Sequence, residues 1–306
     1  EALELGEAAV AAYVRRSGAT PQDADQGARQ DARQDALRAK AALAFALANA
    51  EQYARADTLM NEVIAGYVAA FGEDHPQTLT ARSTHAIIQQ YTQRPEAALR
   101  NFEEVIADAT RVYGADHPET IKARSNLAFL YINLGRLEEA EATHRELVAA
   151  TTRIYGADNA ETIVSRQNLG NTLLAQGRFA EAEAYLDDLL ATCRRVLGAD
   201  HRRTLGVMGL LASLYDQQRR FPEAAAMLGE GARNSEANLG ETHAAVVINY
   251  YNWAAKLQDM GDNRAAEPPF RQALALHDGA KGGDQPYVAA ILNGLSEAPT
   301  TPAVYF

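Results

Sequence analysis

The segment 113–121 reads YGADHPETI, and worn copies return at intervals of 42 residues: FGEDHPQTL (71–79), YGADNAETI (155–163), LGADHRRTL (197–205) and LGETHAAVV (239–247). A last fragment, KGGDQP (281–286), falls on the next beat. Self-similarity at this period constrains the fold more than any other feature, because each unit must bury its apolar face against its neighbours in an array. The interval has room for two helices. In the unit opening at Tyr113, the residues Ile121, Leu127, Ala128 and Tyr131 share one helical face, and Leu137, Ala140, His144 and Leu147 share another. Gly135 separates them, where a helix C-cap needs the left-handed conformation that glycine tolerates. Ala56, Ala98, Ala140, Ala182, Ala224 and Ala266 also stand 42 residues apart, where the two helices of a pair must touch.

The recurrent Asp-His pair admits two readings: a row of metal or catalytic sites, or punctuation between helices. As punctuation, every residue has a structural task. Gly114 ends one helix and Pro118 opens the next, since proline suits the first helical position. Asp116 or His117 caps the orphan amides, and Glu119 lies in the first turn, where the helix dipole favours a carboxylate. As a metal site the pair fares worse, because adjacent residues do not converge easily on one ion and zinc wants three or four ligands. Copies a full repeat apart are too distant to share one.

Composition narrows the function classes. Hydrophobic residues make up 47% of the chain and are dominated by alanine, while aromatics are 7%, which suits closely packed helices. The formal net charge of -11, from 29 basic against 40 acidic residues, argues against nucleic acid and anionic membrane surfaces as partners. No apolar run approaches the roughly 18 residues of a membrane span. A single cysteine, Cys193, permits no internal disulfide and fits a reducing, cytoplasmic compartment. It lies at an Ala/Thr-type position of a second helix, so a buried, inert thiol is expected rather than a nucleophile paired with His201. His144 and Trp253 read as core residues. None of the phosphate-loop, dinucleotide, zincin or nucleophile-elbow motifs occurs, so the reading is not an enzyme, with no cofactor and no metal.

Gly114, Asp116, His117 and Pro118, then Asn126, Leu127 and Ala128, then Gly135, Arg136, Glu139, Ala140 and Glu141 closely resemble the tetratricopeptide repeat, more narrowly its 42-residue kinesin-light-chain-like class. The resemblance covers about 29–280. It implies an all-α fold, a right-handed superhelical solenoid of antiparallel helix pairs, with about six repeats (29–70, 71–112, 113–154, 155–196, 197–238, 239–280) and partial caps at both ends. Residues 1–28 form an N-terminal helix or cap with a polar linker centred on 16–31, 281–298 a partial repeat or capping helix, and 299–306 (PTTPAVYF from Pro299) an extended tail. Glu51 and Arg219 stand where other copies have glycine, and Gly229 and Gly231 interrupt the second helix of the fifth repeat.

The resemblance further implies a concave surface lined by first helices, which binds short extended peptides. On that frame the groove residues are Thr84, Ile87, Tyr91, Lys122, Asn126, Phe129, Asn133, Gln167, Asn168, Asn171, Leu174, Ser213, Asp216, Tyr251 and Asn252. Asn and Gln carry both donor and acceptor and can hold a peptide backbone whatever its sequence. The alternative is that Asn126 and Asn168 tie neighbouring helices together and bind nothing. Basic residues on this face are chiefly Lys122 and Arg38, with Arg124 and Arg166 near the edge, which argues against recognition of a highly acidic C-terminus. The expected function is a protein-interaction scaffold with an unidentified protein or peptide partner. A self-assembling subunit, associating through its tail or array ends, is the second reading. The third is the sensor arm of a larger signalling protein, compatible with a first residue other than Met and a half-unit at 1–17.

Overall fold

A computed structural model describes residues 7–8, 10–12, 26–92, 95–239, 244–279 and 287–297. Every regular element among them is an α-helix, and helices alternate with short turns as the period requires. The chain divides into two compact units, Glu1–Ala150 and Thr151–Phe306.

The first unit holds α1 (Gln26–Asn49), α2 (Tyr53–Phe71), α3 (Pro76–Gln89), α4 (Pro95–Tyr113), α5 (Pro118–Asn133) and most of α6 (Leu137–Tyr155). From α1 to α5 each helix packs on the next, and the first helices of successive pairs also touch, α1 on α3 and α3 on α5. The second helices α2 and α4 make no such contact among the described residues, which sets the first helices on the inner side of this stack. Two apolar clusters fill it. Leu43, Leu47, Ala56, Met60, Val63 and Ile88 form one, and Ala86, Ala98, Phe102, Leu127 and Leu130 the other.

The second unit continues through α7 (Ala160–Ala175), α8 (Phe179–Val196), α9 (Arg202–Gln217), α10 (Phe221–Leu239), α11 (Ala244–Asp259), α12 (Asn263–Gly279) and α13 (Tyr287–Glu297). Consecutive helices pack together, and α7 meets α9 as α11 meets α13. Val246, Val247, Tyr250, Phe270, Leu276 and Ile291 anchor its C-terminal core. All six periodic alanines are buried to within 1% of full enclosure, so the interval seen in the sequence is the interval of helix-helix contact.

The turns answer the Asp-His question. His117 is the N-cap of α5, and its Nδ1 accepts from the Glu119 amide at 3.2 Å. His75 and His201 do the same for α3 and α9, and Asn159 substitutes its Oδ1 ahead of α7, at 2.9 Å. The imidazole caps; the aspartate before it serves elsewhere. Asp74 receives both arms of Arg111 from α4, and Asp158 receives Arg195 from α8, so each turn is strapped to the helix 37 residues on. The guanidinium beside each carboxyl holds it below the usual carboxylate range. The turn glycines Gly72, Gly114, Gly156 and Gly198 have φ of 89° to 99°, as the left-handed position demands. Among the described residues no group of His, Cys, Asp and Glu is placed to hold a metal ion.

Within a pair, the first helix closes by a Schellman pattern: Arg136 N–H donates to the Tyr131 carbonyl at 2.8 Å, with Gly135 at φ 72°. Arg136 then pairs with Glu139 and lies over the Tyr131 ring at 4.6 Å, which accounts for the spacing of the G-R-x-x-E motif. Glu51 and Arg219 take the same left-handed conformation without being glycine, at φ 58° and 59°. One boundary moves: residues 26–31, expected in a polar linker, are helical in α1, because Gln, Ala and Arg are good helix formers. The rest of the N-terminal cap, apart from the helical residues 7–8 and 10–12, and the tail 299–306 lie outside the described residues.

Candidate binding face

The first helices carry the residues singled out by the repeat frame, except Tyr91. In the first unit Lys122, Asn126 and Phe129 lie on α5. Lys122 is exposed and makes no ion pair with a described residue, and Asn126 is half-buried with no side-chain hydrogen bond to any of them. Phe129 is 39% exposed and stands edge-on to the buried His144 ring, at 5.9 Å between centroids. Asn133, at the end of the same helix, donates to Gln90 Oε1 at 3.0 Å. On α3, Thr84 turns its hydroxyl back to the Thr80 carbonyl at 2.9 Å, and Ile87 packs against the cluster around Phe102. Tyr91 lies beyond the end of α3, in the turn, and stacks on Tyr53 of α2 at 5.4 Å while 52% exposed. This pair has no left-handed glycine at its turn, and α3 stops at Gln89.

In the second unit Gln167, Asn168 and Asn171 are all half-buried on α7. A methyl placed on Gly206 would come within 2.8 Å of the Gln167 amide nitrogen, so the Gln167 side chain lies over Gly206 of α9. Asn171 has no side-chain hydrogen bond to a described residue. Leu174, expected on the open face, is buried at 6% exposure and belongs to the core, because Leu173 and Leu174 both turn inward at the helix end. Ser213 on α9 accepts a long bond from Gln217 at 3.4 Å, and Asp216 is held by Lys256 of α11 at 2.6 Å. Tyr251 lies half-buried 6.1 Å from Phe270, and Asn252 beside it is exposed.

The Asn126 side chain makes no hydrogen bond to a described residue of a neighbouring helix. Half-buried amides with open donor and acceptor sites are chemically suited to a main chain laid across them. Arg124 and Arg166, expected near a groove edge, are staples within their own helix pairs. Lys40 reaches Glu62, Arg82 reaches Glu104 and Asp108, Arg124 reaches Glu146, and Arg166 reaches Asp188. Both partners step by 42 residues, a signal in the sequence that charge counting alone passes over. The same holds for Thr78, Thr120, Thr162 and Thr204, whose buried hydroxyls donate to the carbonyl of the turn glycine six residues earlier. Cys193 is wholly buried, which pushes its thiol up, and the Nδ1 of His201 is engaged in capping. Among the described residues no helix is long and apolar enough to cross a membrane.

A family model for the tetratricopeptide repeat matches residues 35–110, 119–193 and 167–237. Among solved structures, the nearly identical TPR-like repeats of a kinesin light chain from Podosopora anserina superpose with a TM-score of 0.54 at 22% identity, covering 66% of this chain and 95% of that one. BtubC (BKLC) from P. vanneervenii gives a TM-score of 0.57 at 19% identity over 81% of this chain and 94% of the other. A signal transduction ATPase with a tetratricopeptide repeat sensor, from Pyrococcus horikoshii, gives 0.53 at 13% identity; the match covers 88% of this chain but only 41% of that protein. At these identities the likeness is one of fold. No curated protein matches the chain.

Proposed function

The chain belongs to the tetratricopeptide repeat family, and on that premise we propose that it is a non-enzymatic interaction module whose first-helix faces hold an extended peptide of a protein partner. Tetratricopeptide repeats generally mediate protein-protein interaction; the groove mode rests on one observation in particular. Asn126 in one unit and Asn171 in the other are half-buried, yet neither side chain hydrogen-bonds to a described residue. Their amides keep donor and acceptor positions open, which a peptide backbone laid across them can occupy. Exposed Phe129 next to Asn126 offers an apolar contact for an alternate side chain.

The test is a displayed library of random peptides selected on the purified chain. Peptides retained by the intact chain should be lost by Asn126→Ala, and separately by Asn168→Ala combined with Asn171→Ala, with helical circular dichroism unchanged. Retention equal to the intact chain in both variants would sink the groove assignment.

A further inference from the structure

One place in the second unit departs from the chain's own repeat pattern at several positions that converge in space. Gly231 on α10 occupies the position that earlier pairs give to Val63, Val105, Leu147 and Leu189, each at most 1% exposed. Its neighbour Ala232 replaces Ile64, Ile106, Val148 and Leu190. On α9, Met208 replaces the Lys40, Arg82, Arg124 and Arg166 series, and is 1% exposed. The carboxylate that would have answered an arginine there, Glu230, turns to Arg194 at 2.5 Å instead. On α11, Asn249 stands where Ala39, Ala81, Ala123, Ser165 and Val207 stand.

These changes open a cavity of about 60 Å³ between α9, α10 and α11, lined by Met208, Gly209, Met227, Gly231, Ala232 and Asn249 among others. Gly209 is exposed and lines it, so the cavity reaches solvent at the first helix of the pair. Two aliphatic side chains are missing from one wall, and an arginine has become a thioether on another. Methionine is flexible enough to repack around a guest. Asn249 is half-buried and its side chain has no hydrogen bond to a described residue.

We propose that this cavity is a specificity pocket for one aliphatic side chain, leucine or its near isosteres, presented by a bound peptide whose main chain Asn249 engages. The occupant follows from what is absent. The cavity marks the place where the other repeats put their own Leu or Val, so a guest side chain of that size and polarity completes the packing. The source of that side chain rests on the peptide-binding reading above; the pocket itself does not.

Methionine-methyl NMR tests it directly, because the chain has four methionines, Met60, Met208, Met227 and Met260, of which two line the cavity. The probes are N-acetyl-leucinamide and N-acetyl-alaninamide, titrated into the intact chain. The leucine analogue is expected to shift the Met208 and Met227 methyls but not Met60, and to bind roughly ten- to a hundred-fold tighter than the alanine analogue, the ratio that burial of an isobutyl group provides. Gly231→Leu should fill the cavity and abolish the response. Gly231→Ala, whose added methyl lies 4.0 Å from Met208 Cε, keeps the fold and should weaken binding. Equal responses to the two analogues, no response to leucine, or a response that survives both substitutions would overturn the pocket. Because amino-acid amides are the probes, failure of the pocket leaves the peptide groove standing, and loss of the groove in the asparagine variants leaves the methyl response untouched.

Discussion

His144 makes the first unit sensitive to acid. The ring is fully enclosed on α6, with Phe129 edge-on at 5.9 Å. Burial pushes the imidazole down to about 4, whereas in the unfolded chain it titrates near its ordinary value of about 6.5. Between those values the unfolded state binds a proton that the native state refuses, so stability rises with pH across the window and falls as pH drops through it. Above about pH 6.5 the contribution is complete; below about 4 it is exhausted. A difference of about 2.5 units sets a ceiling of about 3 kcal/mol, of which about 2 kcal/mol is already lost at about pH 5. The repeat frame supplies the control, since Met60, Phe102, Leu186, Leu228 and Phe270 occupy the equivalent positions. Urea unfolding at about pH 7.5 and about pH 5, for the native chain and for His144→Leu, should show a native loss about 2 kcal/mol larger than that of the variant, whose remaining pH dependence comes from the ionisable groups the two proteins share. Equal losses in the two proteins would refute the assignment of a neutral, buried imidazole.

Two further substitutions follow from backbone and packing. Arg219 and Glu51 hold φ of 59° and 58° as non-glycine residues. A left-handed residue of that kind costs about 1–2 kcal/mol, and the extra freedom of an unfolded glycine returns about 0.5–1 kcal/mol of that. Arg219→Gly and Glu51→Gly should each therefore raise the thermal midpoint by a gain of up to about 1 kcal/mol, and a lower midpoint would contradict the strain argument. Gly229→Ala should do the reverse, because the new methyl would lie 2.6 Å from the Trp253 indole. The expected loss of about 1–3 kcal/mol from overpacking outweighs the roughly 1 kcal/mol gained in helix propensity. Trp253 is the chain's one tryptophan, so its emission should shift with the loss; unchanged emission with higher stability would count against the close contact.

Much of this architecture is written in the period. The paired helices, the left-handed glycines and the buried alanines follow from residue type and spacing, because backbone conformation and close approach restrict those positions to few side chains. The cap needed coordinates to separate His117 from Asp116, since both types can cap and their spacing is the same. The staples from Arg82, Arg124 and Arg166 were visible as paired 42-residue ladders, but the choice between facing a groove and facing the second helix depends on where a long side chain bends. Tyr91 and Leu174 show the limit at helix ends. A helix that stops two residues early, or an inward rotation in the last turn, moves a residue to another surface without altering its place in the repeat.

Regularity also makes each exception interpretable, because the other repeats are internal controls with the same backbone. Trp253 exceeds the Leu43, Leu127, Leu169 and Leu211 of its position, and Gly229 gives up the side chains that Glu103, Arg145 and Asp187 hold at theirs. The enlargement and the reduction face each other, since the Trp253 ring occupies the space a Cβ on residue 229 would need, and the core closes. Gly231 and Ala232 shrink, Asn249 on the same cavity does not fill what they leave, and the space stays open. A filled departure is repacking. An unfilled one, next to an arginine turned methionine and an asparagine at a small-residue position, is space for something the chain does not supply. On that distinction the proposed pocket between α9, α10 and α11 is separable from the proposed peptide contacts of Asn126 and Asn171, and each stands or falls by its own test.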